Sequence, residues 1–305
     1  MKRREFIKAL SCLAAASYAA PSMALGREYY SKPGLQLFTV MKLLDADFSG
    51  TLQKVSEIGY RKVETMGSFN LEPTQLKAQL DEFGLKTYSQ HLMPGNLYES
   101  FSKYNRGLIS WDEIIKIFIA AFDFNRVDAF VSEAIERAQV LGQKYIVWQL
   151  NWQESYGLAE VKQHIKAFHL AGELCAQAGM KFALHNHNHE FAPLDNSTAY
   201  DLMVQETNPD HVKLQMDFMW ASFAGVDPVK YLERYPTRYR LVHLKDHDKK
   251  GKIVLPGHGV EDFGRLLKAS QIAGVEHAYF EFDQPVKPLE EITQAYDFLS
   301  KVPRR

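Results

Sequence analysis

The sequence predicts one (β/α)8 barrel, the TIM-barrel arrangement of the α/β class. Strand-like apolar runs alternate regularly with helix-like segments along the 305-residue chain, and eight such pairs favour a barrel that closes on itself. An open doubly wound sheet would have a glycine-rich turn after its first strand, and the segment LFTVMKLLD contains no glycine. Because no Gly/Ser-rich or Pro-rich linker divides the chain, we expect a single domain.

The predicted strands are short runs rich in β-branched and aromatic residues. In order they span residues 34–40, 60–65, 86–91, 144–150, 180–186, 212–217, 239–244 and 277–283. The predicted helices lie between and after them, at residues 48–58, 72–83, 128–141, 158–178, 197–206, 227–234, 261–273 and 288–300. Glycine, the residue type that most readily ends a helix, follows five of these helices: Gly59, Gly84, Gly142, Gly179 and Gly274.

Residues 93–127 interrupt this rhythm after the third predicted strand. The stretch holds several aromatic residues and the helix-like segment WDEIIKIFIAAF. An insertion at this place would lie over the carboxyl ends of the strands, where barrels of this kind carry out their chemistry. We expect it to form a lid or an oligomer contact, and a homo-oligomer is compatible with the sequence.

Residues 1–26 have the pattern of a twin-arginine export signal. Arg3 and Arg4 precede a short, weakly apolar stretch and a small-residue end, with cleavage expected after the SMA segment at residues 22–24. The apolar stretch is too short to span a bilayer, so no stable membrane insertion is expected. The barrel is therefore assigned to residues 27–305 and the mature protein to the periplasm.

Charge and cysteine content exclude several classes of protein. The chain has 36 Lys and Arg against 37 Asp and Glu, a net charge of -1, and no basic run typical of nucleic-acid binding. Cys12 lies in the predicted signal, which leaves Cys175 alone and allows no intramolecular disulfide. The expected partner is a small molecule.

Metal-ligand residue types stand at the ends of four successive strand-like runs. They are His185 in KFALHNHNHE, Asp217 in VKLQMDFMW, His243 in YRLVHLKDHD and Glu281 in HAYFEFD. The carboxyl ends of barrel strands meet at one face, so we expect these side chains to hold one divalent cation. A single such residue is more often a hydrogen-bonded turn residue, and it is their joint occurrence that favours a metal site.

Other polar residues at the same face are candidate substrate contacts. Glu64, His91 and Gln149 lie at the ends of the second, third and fourth predicted strands, and Lys245 closely follows His243. Local capping would explain the first three equally well, and a surface ion pair would explain Lys245.

In order and spacing, the chain resembles the xylose isomerase-like TIM barrels of the sugar phosphate isomerase/epimerase family. The resemblance covers the whole predicted barrel and rests on GLQLFTV, VETMG, HNHNHEF, LQMDFMW, HLKD, PGHGVEDF and FEFD. It implies a metal held by Glu, Asp, His and Glu from strands five to eight. Asp217, His243 and Glu281 match that pattern, whereas His185 stands where the family has Glu.

This departure affects the predicted catalytic residues. A metal-bound imidazole offers no free proton acceptor, so His187 and Glu190 are the nearest candidates to act with Glu281 in proton transfer. Whether His185 or Glu190 is the fourth ligand stays open. Many family members have a His three residues after the strand-six Asp, where this chain has Trp220, which suggests an apolar wall against the substrate.

The resemblance implies a metal-dependent isomerase or epimerase that moves a proton next to the carbonyl of a sugar or sugar derivative through an enediolate. Mn or Zn suits the ligands best, with Co, Fe or Mg as further candidates. Export makes a phosphorylated substrate less expected. The alternatives are a lyase or dehydratase acting on a keto-sugar or 3-keto-glycoside, a phosphodiester-cleaving enzyme of the endonuclease IV type, which the charge balance disfavours, and a non-catalytic sugar-binding barrel.

Overall fold

The computed structural model describes residues 32–150, 155–283 and 285–303. The predicted export signal at residues 1–26 lies outside these ranges. Eight parallel strands form a closed barrel, which confirms the predicted fold class. They are β1 (Gly34–Gln36), β2 (Lys62–Met66), β3 (Lys86–His91), β4 (Tyr145–Gln149), β5 (Lys181–His185), β6 (Val212–Asp217), β7 (Tyr239–Leu244) and β8 (His277–Phe280).

Two strands, β1 and β8, end three or four residues earlier than the sequence predicts. β1 stops at Gln36 because Leu37–Val40 forms a 3-10 helix, whose start is capped when the Gln36 side chain accepts a hydrogen bond from the Phe38 N–H at 3.2 Å. β8 stops at Phe280. Glu281 therefore lies immediately beyond its strand, at the mouth of the barrel.

Helices connect the strands and pack around the barrel. They are α1 (Met41–Ala46), α2 (Phe48–Ile58), α3 (Pro73–Glu82), α4 (Leu97–Asn105), α5 (Trp111–Ala121), α6 (Val127–Leu141), α7 (Leu158–Gln177), α8 (Ala199–Glu206), α9 (Phe218–Phe223), α10 (Pro228–Arg234), α11 (Phe263–Ala273) and α12 (Pro288–Leu299). All the predicted helices are present, and the glycines predicted to end five of them have positive φ, as at Gly142 (71°) and Gly274 (82°). In the described chain, no helix is long and apolar enough to cross a membrane.

Side chains alternate between the inside and the outside of the barrel. Ile146 and Trp148 of β4 belong to the main core between strands and helices. A separate apolar cluster consists of Tyr145, Val147, Ala183, Leu241 and Tyr279. The Tyr279 hydroxyl lies 3.1 Å from Ser89 Oγ, which in turn donates to Glu64. Inside the barrel, an apolar layer thus adjoins a polar one.

The insertion after β3 contains α4 and α5 and is tied to the barrel by aromatic contacts. Phe101 of α4 packs edge-on against Phe38, with 5.7 Å between ring centroids. Phe118 of α5 contacts Phe122, whose ring lies 5.2 Å from that of Trp148 in β4. These contacts hold the insertion across the end of the barrel where the strands terminate.

Candidate metal centre

The four side chains predicted as metal ligands meet at the carboxyl end of the barrel. His185 ends β5, Asp217 ends β6, His243 lies near the end of β7, and Glu281 follows β8. One ligand atom from each residue lies within 4.8 Å of those of the other three, and all four side chains are buried. We call these residues the four-residue group.

The donor atoms fit a divalent metal ion. Within the described part of the chain, the buried His185 Nδ1 has no hydrogen-bond partner, and Asp217 Oδ2 has no hydrogen bond but forms an ion pair with the Lys245 ammonium at 3.2 Å. A buried polar atom left unpaired is unfavourable, and a metal ion could satisfy His185 Nδ1 and replace the ammonium at Asp217. Two imidazoles with two carboxylates are a mixed nitrogen and oxygen donor set of the kind bound by Mn, Zn, Co and Fe(II).

Carboxylates on two sides fix the orientation of the His243 ring. Its Nδ1 lies 2.9 Å from Glu281 Oε2, inside the four-residue group, and its Nε2 lies 2.6 Å from Glu64 Oε2. Burial opposes protonation, but Glu281 and Glu64 together raise the pKa of His243 to about 10. A carboxylate behind a histidine ligand fixes the ring and makes it a stronger donor.

Glu64 lies deeper inside the barrel than the sequence predicts. Its side chain is 0% exposed, and it accepts hydrogen bonds from Gln36 Nε2 at 2.9 Å, Ser89 Oγ at 2.6 Å and Gln215 Nε2 at 2.9 Å. Although burial would raise it, neighbouring histidines hold the pKa of Glu64 well below its usual range. Glu64 therefore lies behind His243 and does not line the cavity in the described chain, because strand β2 continues past it to Met66; a substrate contact at Glu64 stays a prediction.

His91 lies between this support and the cavity. Its Nε2 is 2.9 Å from Gln215 Oε1 and 3.2 Å from Glu64 Oε2, and its ring is parallel to that of His243 at 5.5 Å. His91, His185 and His243 form a second cluster of donor atoms within 4.8 Å of one another. His91 is thus placed to contact either a substrate or an ion.

Lys245 contacts three carboxylates, two of which belong to the four-residue group. The side chain is 2% exposed, and its Nζ lies 3.2 Å from Asp217 Oδ2, 2.7 Å from Glu281 Oε2 and 2.7 Å from Asp283 Oδ1. Burial would lower its pKa, but these three carboxylates raise the pKa of Lys245 well above its usual range. Burial within the carboxylate cluster excludes the alternative of a surface ion pair for Lys245.

The two predicted acid/base residues on the β5 loop lie in different surroundings. His187 lines the cavity, and burial together with Lys245 holds the pKa of His187 well below its usual range. Glu190 belongs to the 3-10 turn His189–Phe191 and does not line the cavity in the described chain. Its carboxylate accepts hydrogen bonds from the His187 backbone N–H at 2.9 Å and from the Tyr156 hydroxyl at 3.3 Å. The structure thus places Glu190 outside the four-residue group and beneath the backbone of His187, and its roles as catalyst or ligand stay predictions.

Trp220 stands beside the four-residue group and is not among the residues that line the cavity in the described chain. Its backbone N–H donates to Asp217 Oδ1 at 3.1 Å. Its ring lies 6.0 Å from the His187 ring, and Lys245 Nζ lies 5.7 Å from its centroid. The predicted apolar wall against substrate is thus better described as a wall behind His187 and Lys245.

A cavity of about 50 Å³ opens onto the four-residue group. Its polar side consists of His91, Gln149, His185, His187, Lys245, Glu281 and Asp283. Its apolar side consists of Phe38, Met66, Phe101, Trp111, Ile115 and Phe118. Ligand pockets usually measure about 300–1,000 Å³, so this cavity is small, and side chains of α4 and α5 fill much of its apolar side.

Asp283 and Gln215 were not singled out by the sequence reasoning. Asp283 lines the cavity and pairs with Lys245, and its place two residues after Glu281 was the available signal. Gln215 bridges Glu64 and His91 from the middle of β6. A lone Gln in the apolar run VKLQMD could have revealed it, because a buried amide needs partners.

Comparison with known proteins shows which family the barrel belongs to. The description "Xylose isomerase-like TIM barrel" applies to the family whose sequence pattern matches residues 52–302. An inosose dehydratase from Geobacillus kaustophilus is 27% identical over 238 residues, which cover 70% of this chain and 72% of that protein. The chain therefore belongs to the xylose isomerase-like TIM barrel family.

Two solved structures show the same fold. A sugar phosphate isomerase/epimerase from Parabacteroides distasonis superposes with a TM-score of 0.72 at 24% identity, covering 90% of this chain and 94% of that one. A protein named IOLI, solved with a bound zinc atom, superposes with a TM-score of 0.61 at 17% identity, covering 89% of this chain and 99% of that one.

Proposed function

We propose that this xylose isomerase-like barrel is a metal-dependent enzyme that removes a proton next to the carbonyl group of a sugar derivative. The observation that carries the proposal is the four-residue group, in which four buried ligand atoms lie within 4.8 Å of one another and His185 Nδ1 has no hydrogen-bond partner among the described residues. His185, Asp217, His243 and Glu281 would hold the ion. A divalent ion at this place would stabilise the negative charge that develops on the substrate oxygens.

The protein supplies the proton acceptor separately. His187 lines the cavity, lies outside the four-residue group and has its ring centroid 5.1 Å from that of His185. An imidazole so placed can accept a proton from carbon at the substrate position. The apolar residues of α4 and α5 would exclude water while this happens.

Manganese or zinc is the proposed ion. The mixed histidine and carboxylate donors suit both, and the neighbour named IOLI was solved with zinc. For a protein exported to the periplasm, as we also propose, an unphosphorylated sugar derivative is the expected substrate.

The proton can return to carbon or a leaving group can depart, which gives two candidate functions. The isomerase or epimerase outcome follows the name of the Parabacteroides distasonis neighbour. The dehydratase outcome follows the name of the Geobacillus kaustophilus relative and gains support from Lys245, because an ammonium group at the cavity can stabilise the negative charge on a departing hydroxyl group.

The test combines metal analysis with a product assay. We expect about one equivalent of transition metal per chain in the purified wild type and in the control Glu99→Gln, which changes an exposed carboxylate paired with Lys103, but not in Glu281→Gln. The metal-loaded wild type is then incubated with inosose and with 3-keto-glucosides in deuterated water. Deuterium at carbon without loss of water supports the isomerase, and an unsaturated product supports the dehydratase. A wild type that stays free of metal and gains no stability from Mn or Zn would leave a non-catalytic sugar-binding barrel as the better account.

A further inference from the structure

The Lys245 side chain is buried against carboxylate oxygens of Asp217 and Glu281, two members of the four-residue group. Its Nζ lies 2.7 Å from Glu281 Oε2, and that oxygen is also 2.9 Å from His243 Nδ1. The same Nζ forms an ion pair with Asp217 Oδ2 at 3.2 Å, and this oxygen accepts no hydrogen bond from any other described group. The ammonium and a divalent ion would thus use the same two oxygen atoms.

Two cations cannot share these oxygens without strong repulsion in a buried site. Like charges about 4 Å apart repel far more inside a protein than in water. A bound divalent ion would therefore push the Lys245 ammonium away from Asp217 and Glu281.

Asp283 offers the ammonium another partner. Its Oδ1 is already 2.7 Å from Lys245 Nζ, its Oδ2 is buried with no hydrogen-bond partner in the described part of the chain, and it stands outside the four-residue group. Lysine has a flexible four-carbon stem that allows such a movement. Trp220, whose ring centroid is 5.7 Å from the ammonium, lies along one side of it.

We propose that Lys245 competes with the metal ion for Asp217 and Glu281, and that Asp283 takes over the ammonium when the ion binds. The inference rests on the proposed metal centre. Lys245 then lowers the affinity of the site for the metal ion. When the ion is bound, the ammonium pairs with Asp283, and both side chains line the cavity.

The test is a calorimetric titration of the full-length mature protein with Mn²⁺ and Zn²⁺. Lys245→Met should bind the ion at least about tenfold more tightly than wild type, a difference of roughly 1.4 kcal/mol. Lys181→Met is the matched control, since Lys181 forms its ion pair with Glu276 and should leave the affinity unchanged.

Asp283→Asn tests the second half of the proposal. It should weaken metal binding, because the displaced ammonium loses its partner. Loss of a nearby charge alone would also weaken binding, so the double variant with Lys245→Met separates the causes: the Asp283→Asn effect should shrink several-fold when Lys245 is absent.

Each outcome decides the matter. A folded Lys245→Met that binds metal no more tightly than wild type overturns the inference and leaves the proposed function standing. If Lys245→Met does not fold, Lys245→Gln replaces it in the single and the double variant with the same expected results, and wild-type affinity in Asp283→Asn also overturns the inference. A wild type that binds neither ion refutes both the inference and the proposed function.

Discussion

Glu64→Gln tests whether a buried carboxylate prepares the metal centre. The substitution keeps the shape of the side chain and removes its charge. Glu64 Oε2 accepts from His243 Nε2 at 2.6 Å and from Gln36 Nε2 at 2.9 Å, while Oε1 accepts from Ser89 Oγ at 2.6 Å and Gln215 Nε2 at 2.9 Å. Whichever way the new amide turns, its NH2 group faces at least one donor that it cannot accept from.

The magnitude follows from these contacts. A hydrogen bond to a charged group contributes roughly 1.5–3 kcal/mol, so we expect the free energy of unfolding to fall by about 3 kcal/mol. Loss of the partner behind a histidine ligand typically lowers metal affinity by about 10–100-fold. Both effects are expected because His243 would lose its fixed orientation.

Urea denaturation of the metal-free protein and calorimetric titration with Zn²⁺ measure the two effects separately. Ser270→Ala is the control: the buried Ser270 hydroxyl donates to the Leu266 carbonyl at 2.8 Å, within α11. It should lose about 1 kcal/mol of stability and keep its metal affinity. A folded Glu64→Gln protein with wild-type zinc affinity would refute the supporting role of Glu64.

Three further predictions concern other parts of the molecule. Burial raises the pKa of Glu190 from its ordinary 4.5 to about 7, so folding favours the protonated form, and this group's contribution to stability falls as pH rises from 4.5 to 7. The unfolding free energy of wild type relative to Glu190→Gln should therefore drop by about 3 kcal/mol across that window; equal pH profiles would show that the carboxyl is not buried as described. In urea, Phe118→Ala should lower stability by roughly 3–5 kcal/mol, more than Trp111→Ala, because Phe118 is 5% exposed and Trp111 only half-buried; the reverse order would contradict the packing of α5. Replacing Arg3 and Arg4 with Lys should keep the protein in the cytoplasm of its host, as measured by fractionation, and normal export of that variant would rule out the twin-arginine route.

The sequence predicts the barrel and the four-residue group for a topological reason. Once strands and helices alternate eight times, the strand ends must meet, so the positions of His185, Asp217, His243 and Glu281 follow without knowledge of any contact. An error of one or two residues at a strand boundary does not change which face of the barrel a residue reaches.

How far a side chain lies from the end of its strand is harder to predict than which end of the barrel it is near. Glu64 has the expected strand, but β2 runs on to Met66, and those two residues place its carboxylate behind His243. Glu190 was a candidate because it is near His185 in sequence, but β5 ends at His185 and Glu190 lies in the 3-10 turn His189–Phe191, where distance along the chain does not fix the direction of a side chain. Depth and loop direction depend on hydrogen bonds that only the folded structure supplies.

The buried carboxylate of Glu64 links the fold to the proposed chemistry. Its side-chain partners come from β1, β3, β6 and β7, through Gln36, Ser89, Gln215 and His243, so one charge joins five strands of the barrel around the base of the site. Such a network positions His243 before any ion arrives. Metal binding then need not order the barrel, and it should stabilise the protein only by the amount that its concentration relative to its dissociation constant gives. A metal dependence of stability much steeper than that would mean that the ion, rather than Glu64, organises the strand ends.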